Sequence, residues 1–393
     1  MEKEKFLDFQ FKKEVELLPL FLNRSFRAMA VSLLSLFSSV YIYKTIFSLT
    51  NQKNIALAAV FIYFLGFYSC KFISNLFAEE LSLRLGLKKQ IYFGLLFLVF
   101  SLLILVLSLR WPLLLFFASP FWGLSAGFYW FGCHGLMVKT GREQAFGKEL
   151  GMIGFINTLF LLGVPFLGGV LIDLAGYQAL FGKIKILTAR VNFADRPMKG
   201  EKTHYDTSLA EVVSLFKTHK RTFLAYAGSS VAGTIYSMVI PLYLFLILKK
   251  ELSLGEFFSF SMILVALINL IVGRWVDIKG KRGMIAFGSV FQFFVWFGRG
   301  LTKGIKALFI FDIIDRITGG MIGIPLGVLS YQKALDGQAT GRAVLFREIA
   351  ITIGAIFSCL LLLLMVFLGI EFKFSFWVAA LFSLLPLLIV RKR

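Results

Sequence analysis

The chain has 393 residues, of which 58% are hydrophobic, 16% aromatic and only 16% charged. Soluble domains carry about 25% charged residues, so this composition excludes a water-soluble enzyme, a disordered chain and a disulfide scaffold. The net charge of +20 indicates basic loops that orient membrane helices, and no nucleic-acid partner is expected. The chain is therefore predicted to be integral to a lipid bilayer.

Residues 1–25 mix charges of both signs and lack the apolar core and cleavage site of a signal peptide. We expect them to form a cytoplasmic N-terminal segment before a retained first span. Five apolar stretches follow, each of the length that crosses about 30 Å of hydrocarbon. They predict a first helical bundle over residues 26–181, with spans at 28–47, 55–73, 91–109, 111–138 and 152–174.

The middle of the chain, residues 182–221, has no window apolar enough to span. Its forty residues hold nine basic and four acidic side chains, so we expect a linker of the cytoplasmic type. The sequence from Ser208 to Glu211 matches a capping box and precedes an apolar run, which favours a short amphipathic helix on the membrane surface. The alternative is a solvated linker with one or two helical turns.

Six further apolar stretches predict a second bundle over residues 222–393. They lie at 223–248, 257–273, 284–297 (extending at most to 301), 307–329, 349–370 and 374–390. The predicted fold class is therefore an all-α polytopic membrane protein with two helical bundles and eleven spans. The connections are too short for a soluble catalytic domain, and no phosphate-binding loop, nucleophile elbow or metal-ligand spacing occurs. We expect neither an enzyme nor a bound cofactor or metal.

The distribution of basic residues conflicts with an odd number of spans. With both termini and the central linker in the cytoplasm, the inside loops hold 30 basic residues against 8 outside, whereas a linker outside gives 21 against 17. The positive-inside rule favours the first arrangement, which requires an even number of crossings. Either residues 176–191 make an irregular or partial crossing, or the chain lacks one span.

One loop of the second bundle carries a motif. It reads Gly273-Arg-Trp-Val-Asp277-Ile-Lys-Gly280-Lys281-Arg282, in which the glycines let helices approach and the chain turn, and a carboxylate lies beside cations. The motif resembles the G-x-x-x-D-x-x-G-[RK]-[RK] loop of the major facilitator superfamily of transporters. The resemblance implies a conformational-switch loop, and the alternative is a merely solvated basic loop.

The first bundle holds a degraded copy of this loop. The copy keeps Arg84, Gly86, Lys88 and Lys89 but has Leu83 at the aspartate position. Gly86 and Gly280 lie 194 residues apart, the spacing of an internal repeat of two transporter halves. Over residues 28–390 the resemblance implies twelve helices in two groups of six, so the chain is predicted to lack the sixth helix, just after residue 181.

The fifth span contains Gly163-Val-Pro165-Phe-Leu-Gly168-Gly169. This stretch resembles the G-P-x-x-G-G element of drug and proton antiporters in the same superfamily, although Val164 replaces the second glycine. Glycines at this spacing open one helix face to close packing, and proline bends the helix. The resemblance implies efflux, and the alternative is ordinary helix packing.

Polar groups inside the spans are candidates for a substrate or proton pathway, because ionisable residues are costly there. The candidates are Tyr129, Trp130, His134, Tyr226, Tyr236, Asp312, Asp315 and Arg316. Asp312 and Arg316 are spaced to pair on one helix face, which leaves Asp315 for a proton or a cationic substrate. The alternatives are an ion-pair cluster with Arg299 and a packing role for His134, while Lys71 and Lys44 are expected to extend toward the membrane surfaces.

Together these features predict a secondary transporter that moves a small solute or drug-like molecule by alternating access, with proton coupling through Asp315 or His134. We expect a monomeric permease in a bacterial cytoplasmic membrane with both termini in the cytoplasm. The alternative, based on the missing crossing, is a non-transporting membrane protein, either a decayed transporter or a scaffold.

Overall fold

A computed structural model describes residues 2–140, 146–191, 209–263, 271–272, 274–275, 280–335 and 340–390 of the chain. Every regular element in these ranges is helical, which agrees with the predicted fold class. Helices suit this composition because a bilayer offers the backbone no hydrogen-bond partners, so each segment has to satisfy its own. Gly273 and Asp277 of the predicted switch loop lie outside the described residues.

The first half of the chain begins with three long helices: α1 (Glu2–Thr50), α2 (Lys53–Leu85) and α3 (Leu87–Ser108). A 3₁₀ turn at Pro112–Leu114 leads into α4 (Leu115–Thr140), which is followed by α5 (Phe146–Leu161) and α6 (Val164–Val191). Both α2 and α3 pack extensively against α4.

The element α6 consists of two helices, because Gly176 has non-helical dihedral angles. Its φ of 71° and ψ of −179° are close to those of Gly86 (82°, 154°) and Gly280 (88°, 147°), and each of those glycines directly precedes a helix. Glycine adopts positive φ without the strain that a side chain brings. The residues after Gly176 contact α1, since the rings of Tyr177 and Phe181 lie 5.0 and 5.2 Å from that of Tyr41.

The structure therefore contains a helix at 177–191, where the sequence predicts that one is missing. Lys183, Lys185 and Arg190 lie in this helix and keep its hydropathy low, so no apolar window of spanning length detects it. The helix continues past the predicted end of the first bundle at residue 181. The structure shows a helix at this position, and whether residues 176–191 cross the membrane stays a prediction.

A short helix, α7 (Leu209–Thr218), lies in the predicted linker, as the capping box indicates. Its Phe216 ring contacts the rings of Phe223 and Phe346 at 5.1 and 5.0 Å, so α7 is packed against the second half. The second half consists of α8 (Lys220–Leu248), α9 (Glu251–Ile263), α10 (Lys281–Leu301), α11 (Ile305–Leu335), α12 (Thr340–Phe367), α13 (Ser375–Ser383) and α14 (Leu387–Val390).

Eight helices among the described residues are long and apolar enough to cross a membrane, so the predicted count of eleven spans is not confirmed. Three predicted spans account for the difference. The stretch 257–273 includes residues outside the described ranges, 307–329 carries three charged residues, and 374–390 corresponds to a shorter apolar helix, Ser375–Val390.

The two halves pack through α2 against α12 and α6 against α9. The second contact is close because Gly169 faces the backbone of Glu251 and Leu252, and Gly255 faces the backbone of Pro165. We call the end of the bundle at which Gly86 joins α2 to α3 the Gly86 end. The opposite end, at which Asn51 follows α1, is the Asn51 end.

Candidate substrate site between the two halves

A cavity of about 190 Å³ lies between the two halves, toward the Gly86 end. Helices α1, α4 and α5 of the first half and α11 and α12 of the second half supply its walls. The lining residues are Arg24, His134, Leu150, Ile153, Gly154, Asn157, Gly323, Ile324, Gly327 and Arg347. The glycines of α5 and α11 contribute no side chains there, and four of the lining side chains are polar or charged: Arg24, His134, Asn157 and Arg347.

Glu348 of α12 is the centre of an ionic cluster beside this cavity. Its carboxylate lies 3.1 Å from Lys71 Nζ, 3.4 Å from His134 Nε2 and 3.8 Å from Arg347 Nη1. Lys71 and His134 belong to the first half, so the cluster joins the halves. All three partners of Glu348 lie in or near the interface. The prediction that Lys71 extends to the membrane surface is wrong, because its side chain pairs with the buried carboxylate of Glu348 instead.

Two arginines of α1 stack on aromatic rings of α4 next to the cavity. The Arg27 guanidinium lies 3.9 Å from the Tyr129 ring centre, and that of Arg24 lies 5.1 Å from the Trp130 ring centre. The Tyr129 hydroxyl donates to Asn23 Oδ1 at 2.7 Å, which fixes the tyrosine ring against α1. Guanidinium groups are attracted to ring faces, so these contacts hold the arginine side chains in place.

The structure brings together three of the predicted pathway residues. His134 stacks on Trp130, with ring centres 5.3 Å apart, and Tyr129 adjoins Trp130 at 5.7 Å. His134 also lies 3.0 Å from Arg347 Nη1, on the opposite half of the protein. Of these three residues only His134 lines the cavity, and the roles of all three in transport stay predictions.

The acidic candidates form a second cluster that lies within the second half. Arg316 donates to Asp312 at 2.8 Å, the predicted pair, and the Tyr236 hydroxyl donates to the same carboxylate at 2.8 Å. Arg299 lies 3.4 Å from Asp312 and 3.2 Å from Asp315. Asp315 is thus not left for a proton or a cation as expected, because Arg299 reaches both carboxylates, and the ion-pair alternative describes this cluster better.

Tyr226 is separate from both clusters: its hydroxyl donates to the Leu326 backbone carbonyl at 3.1 Å, which ties α8 to α11 inside the second half.

The Gly163-to-Gly169 stretch contributes to helix packing at three of its four predicted positions. Pro165 and Gly169 contact α9, and Gly168 faces side chains of α1. Gly163 has no described atom within 4 Å of an added Cβ, because it lies at the break between α5 and α6.

The described part of the predicted switch loops shows the repeat at the level of the backbone. Gly86 and Gly280 have the same positive-φ conformation, and Lys281 and Arg282 begin α10 just as Lys88 and Lys89 lie in the first turn of α3. Arg84 pairs with Glu80 on the exposed surface of α2. No group of residues that could hold a metal ion occurs in the described ranges.

Sequence reasoning missed Arg24, Arg27 and Glu348 as site residues. The predicted spans begin at residues 28 and 349, whereas the helices begin earlier, so these charged residues fell into predicted loops. The signal that could have found them is helical spacing: Arg24 and Arg27 are three apart and continue the periodicity of the span that follows.

The profile of the Major Facilitator Superfamily matches residues 20–314 of the chain, and no curated protein sequence matches it. Solved structures with a similar fold include the proton:xylose symporter XylE bound to 6-bromo-6-deoxy-D-glucose (TM-score 0.73, 11% identity, 96% of this chain and 95% of that chain covered). They also include the human organic anion transporter MFSD10 (0.69, 13%, 96% and 99%) and the E. coli fucose:proton symporter FucP (0.62, 13%, 93% and 97%). Such low identities show the fold alone. Because the profile covers well over half of the sequence, the chain belongs to the Major Facilitator Superfamily, a family of membrane transporters and not of enzymes.

Proposed function

We propose that this secondary transporter binds a small solute in the cavity between its halves and moves it by alternating access. The observation that carries the proposal is the shared cavity: Arg24 and His134 of the first half and Arg347 of the second half line one space. Rocking of two rigid bundles about such a site exposes it to one side or the other, and no covalent chemistry is needed.

Polar contacts between the halves supply a closure at each end. At the Asn51 end, Lys44 donates to Glu251 at 2.7 Å, and Tyr177 donates to the same carboxylate at 3.1 Å. At the Gly86 end, Lys71 pairs with Glu348, and the Asn75 amide donates to the Thr352 hydroxyl at 3.3 Å. One set has to break whenever the cavity opens on its side.

His134 is the residue that we assign to proton coupling, because it lines the cavity and lies between Arg347 and Glu348. Two of the similar structures are named as proton symporters, which supports a coupled mechanism. We assign the conformational switch to the repeated turns at Gly86 and Gly280, and Asp277→Ala is expected to slow transport while the protein stays in the membrane. Efflux, a monomeric state and a bacterial cytoplasmic membrane stay predictions.

The helix at 177–191 supports a transporter over the non-transporting alternative, which is based on a missing crossing, and the topology of this helix can be tested directly. If it crosses the membrane, the linker lies on the same side as the N-terminus, which the positive-inside rule places in the cytoplasm. A cysteine at Lys199 should then resist an impermeant thiol reagent in intact cells, whereas a cysteine at Gln52, in the exposed turn at the Asn51 end, should react. Labelling of both positions would contradict twelve crossings.

A reducible cross-link at the Asn51 end tests alternating access. Lys44→Cys and Glu251→Cys are joined by a short bifunctional thiol reagent, and uptake of radiolabelled xylose, glutarate and glycerol 3-phosphate into proteoliposomes is measured. We expect uptake of at least one solute, its arrest by the cross-link, and its recovery after reduction. The single-cysteine variants, treated identically, control for the three native cysteines. Uptake that continues in the cross-linked protein would contradict the proposal.

A further inference from the structure

The cavity region carries more cationic than acidic side chains. Arg24 and Arg347 line it, and Arg27 lies 5.5 Å from the same Trp130 ring that Arg24 contacts. Lys71 pairs with Glu348 beside the cavity. Among the described side chains that line the cavity, two are arginines and none is a carboxylate. Buried charges are normally compensated, so this surplus favours a ligand with negative charge.

Two of these guanidinium groups have buried N–H groups without an acceptor among the described residues. They are Nε and Nη1 of Arg24 and Nε of Arg27, and the whole Arg27 side chain is only 3% exposed. A buried donor without an acceptor is costly. Because Arg24 forms part of the cavity wall, a ligand in the cavity can supply the acceptor that the protein does not.

The aromatic rings hold these arginines in a suitable orientation for such a ligand. Arg27 stacks on Tyr129 and Arg24 on Trp130, so the ring faces are used for packing and the N–H edges are left for hydrogen bonding. A planar guanidinium fork matches a carboxylate or phosphate group through two parallel hydrogen bonds. A hydroxyl or a carbonyl offers only one weaker acceptor.

We infer that the cavity binds a small organic anion with a carboxylate or phosphate group, and that Arg24, which lines the cavity, recognises this group. The inference rests on the proposed function, since it takes the shared cavity as the transport site. The volume of about 190 Å³ is more than about tenfold the ~10–15 Å³ of cavity volume that one water molecule needs. This space suits an anion of a few carbon atoms.

The first test measures the binding of several anions and their uncharged counterparts to the unmodified protein. The full-length chain in detergent is titrated with glutarate, benzoate and glycerol 3-phosphate, and with the uncharged counterparts glutaramide, benzamide and glycerol. Tryptophan fluorescence reports binding because Trp130 contacts Arg24, and the thermal midpoint gives a second readout. We expect at least one anion to bind about tenfold or more tightly than its counterpart. Equal affinities throughout, or no response to any anion, would overturn the inference.

Variants then test the site, because a chain with a net charge of +20 attracts anions without a specific site. Arg24→Gln should weaken binding of the preferred anion by about 10- to 100-fold, and Arg24→Lys, which keeps the charge but loses the fork, should have an intermediate effect. The matched control is Arg110→Gln, since Arg110 is exposed at the Asn51 end. Equal effects of Arg24→Gln and Arg110→Gln on anion binding would overturn the inference. If Arg24→Gln does not fold, the comparison is made with Arg24→Lys.

The binding and flux measurements separate the two claims. Anion binding that depends on Arg24, without uptake into proteoliposomes, would support the anion site and contradict the proposed function. Uptake of xylose with no binding of the three anions would support the proposed function and overturn the anion site.

Discussion

The ion pair between Lys71 and Glu348 provides the sharpest test of how the halves are held together. The two side chains are 9% and 3% exposed, and Lys71 Nζ lies 3.1 Å from Glu348 Oε2. At that distance two unit charges attract by about 5 kcal/mol when the effective dielectric constant is roughly 20. Removing one partner of a buried pair costs about 3–5 kcal/mol, because the other charge is left uncompensated.

The two single substitutions should lower the free energy of unfolding by different amounts, because the charge that each leaves behind has different neighbours. Lys71→Met leaves Glu348 with His134 at 3.4 Å and Arg347 at 3.8 Å, so we expect the free energy of unfolding to fall by about 3 kcal/mol. Glu348→Gln leaves Lys71 and Arg347 without their shared carboxylate, so we expect a loss of about 5 kcal/mol. The double variant removes both charges, and its loss should be at least about 2 kcal/mol smaller than the sum of the single losses.

Unfolding of the purified protein in mixed micelles, followed by tryptophan fluorescence as the proportion of SDS rises, measures these free energies. Lys373→Gln is the control, because its ion pair with Glu371 lies at the surface and exposed pairs contribute little. Losses that add within about 0.5 kcal/mol, or a larger loss for Lys71→Met than for Glu348→Gln, would refute the reasoning.

Three further predictions concern the turn at residue 176, the close contact between the halves and the ion-pair cluster of the second half. Gly176→Ala should lower the unfolding free energy by about 1–3 kcal/mol in the same titration, because alanine is strained at a φ of 71° and a ψ of −179°. Gly182→Ala, with no described atom within 4 Å of the new Cβ, should be neutral or stabilising. Gly255→Ala should lower both stability and uptake, because its Cβ would collide with the backbone of α6, whereas Gly233→Ala meets no described atom; similar behaviour of the two would contradict the close contact. Tyr236→Phe should lower the unfolding free energy by about 1.5–3 kcal/mol, because it removes a 2.8 Å hydrogen bond to the buried Asp312 carboxylate. A changed ligand affinity without that loss of stability would assign Tyr236 to the binding site instead.

The sequence predicts the helical fold and its repeat well, because both depend on local signals. Apolar runs identify most helices, and the spacing of Gly86 and Gly280 identifies two equivalent turns, which have the same dihedral angles in the structure. The helix at 177–191 was predicted to be absent for a physical reason. Hydropathy averages over all faces of a helix, so Lys183 and Lys185 outweigh the face that Phe181 packs against α1.

The site is harder to predict, because its residues lie where hydropathy is least informative. Helices that line a polar cavity have charged ends, and an apolar window treats such ends as loops. Arg24 and Glu348 were excluded for this reason. Lys71 was within a predicted span, but its partner is in the other half, and no local pattern reports a contact between distant segments.

A comparison of the two charged clusters shows why an ionisable residue in a membrane helix is not by itself evidence of a binding site. Arg299 and Arg316 face Asp312 and Asp315, so that cluster is balanced, and all four residues belong to one half. It can remain intact while the halves move, and its role is to hold α10 and α11 together. The cluster around Glu348 differs on both counts: among the described side chains two cations, Lys71 and Arg347, pair with one carboxylate, and the cluster spans the interface that has to open. A negatively charged ligand that binds at this interface and then leaves can compensate the excess positive charge. Such reversible binding is the property expected of a transported ligand.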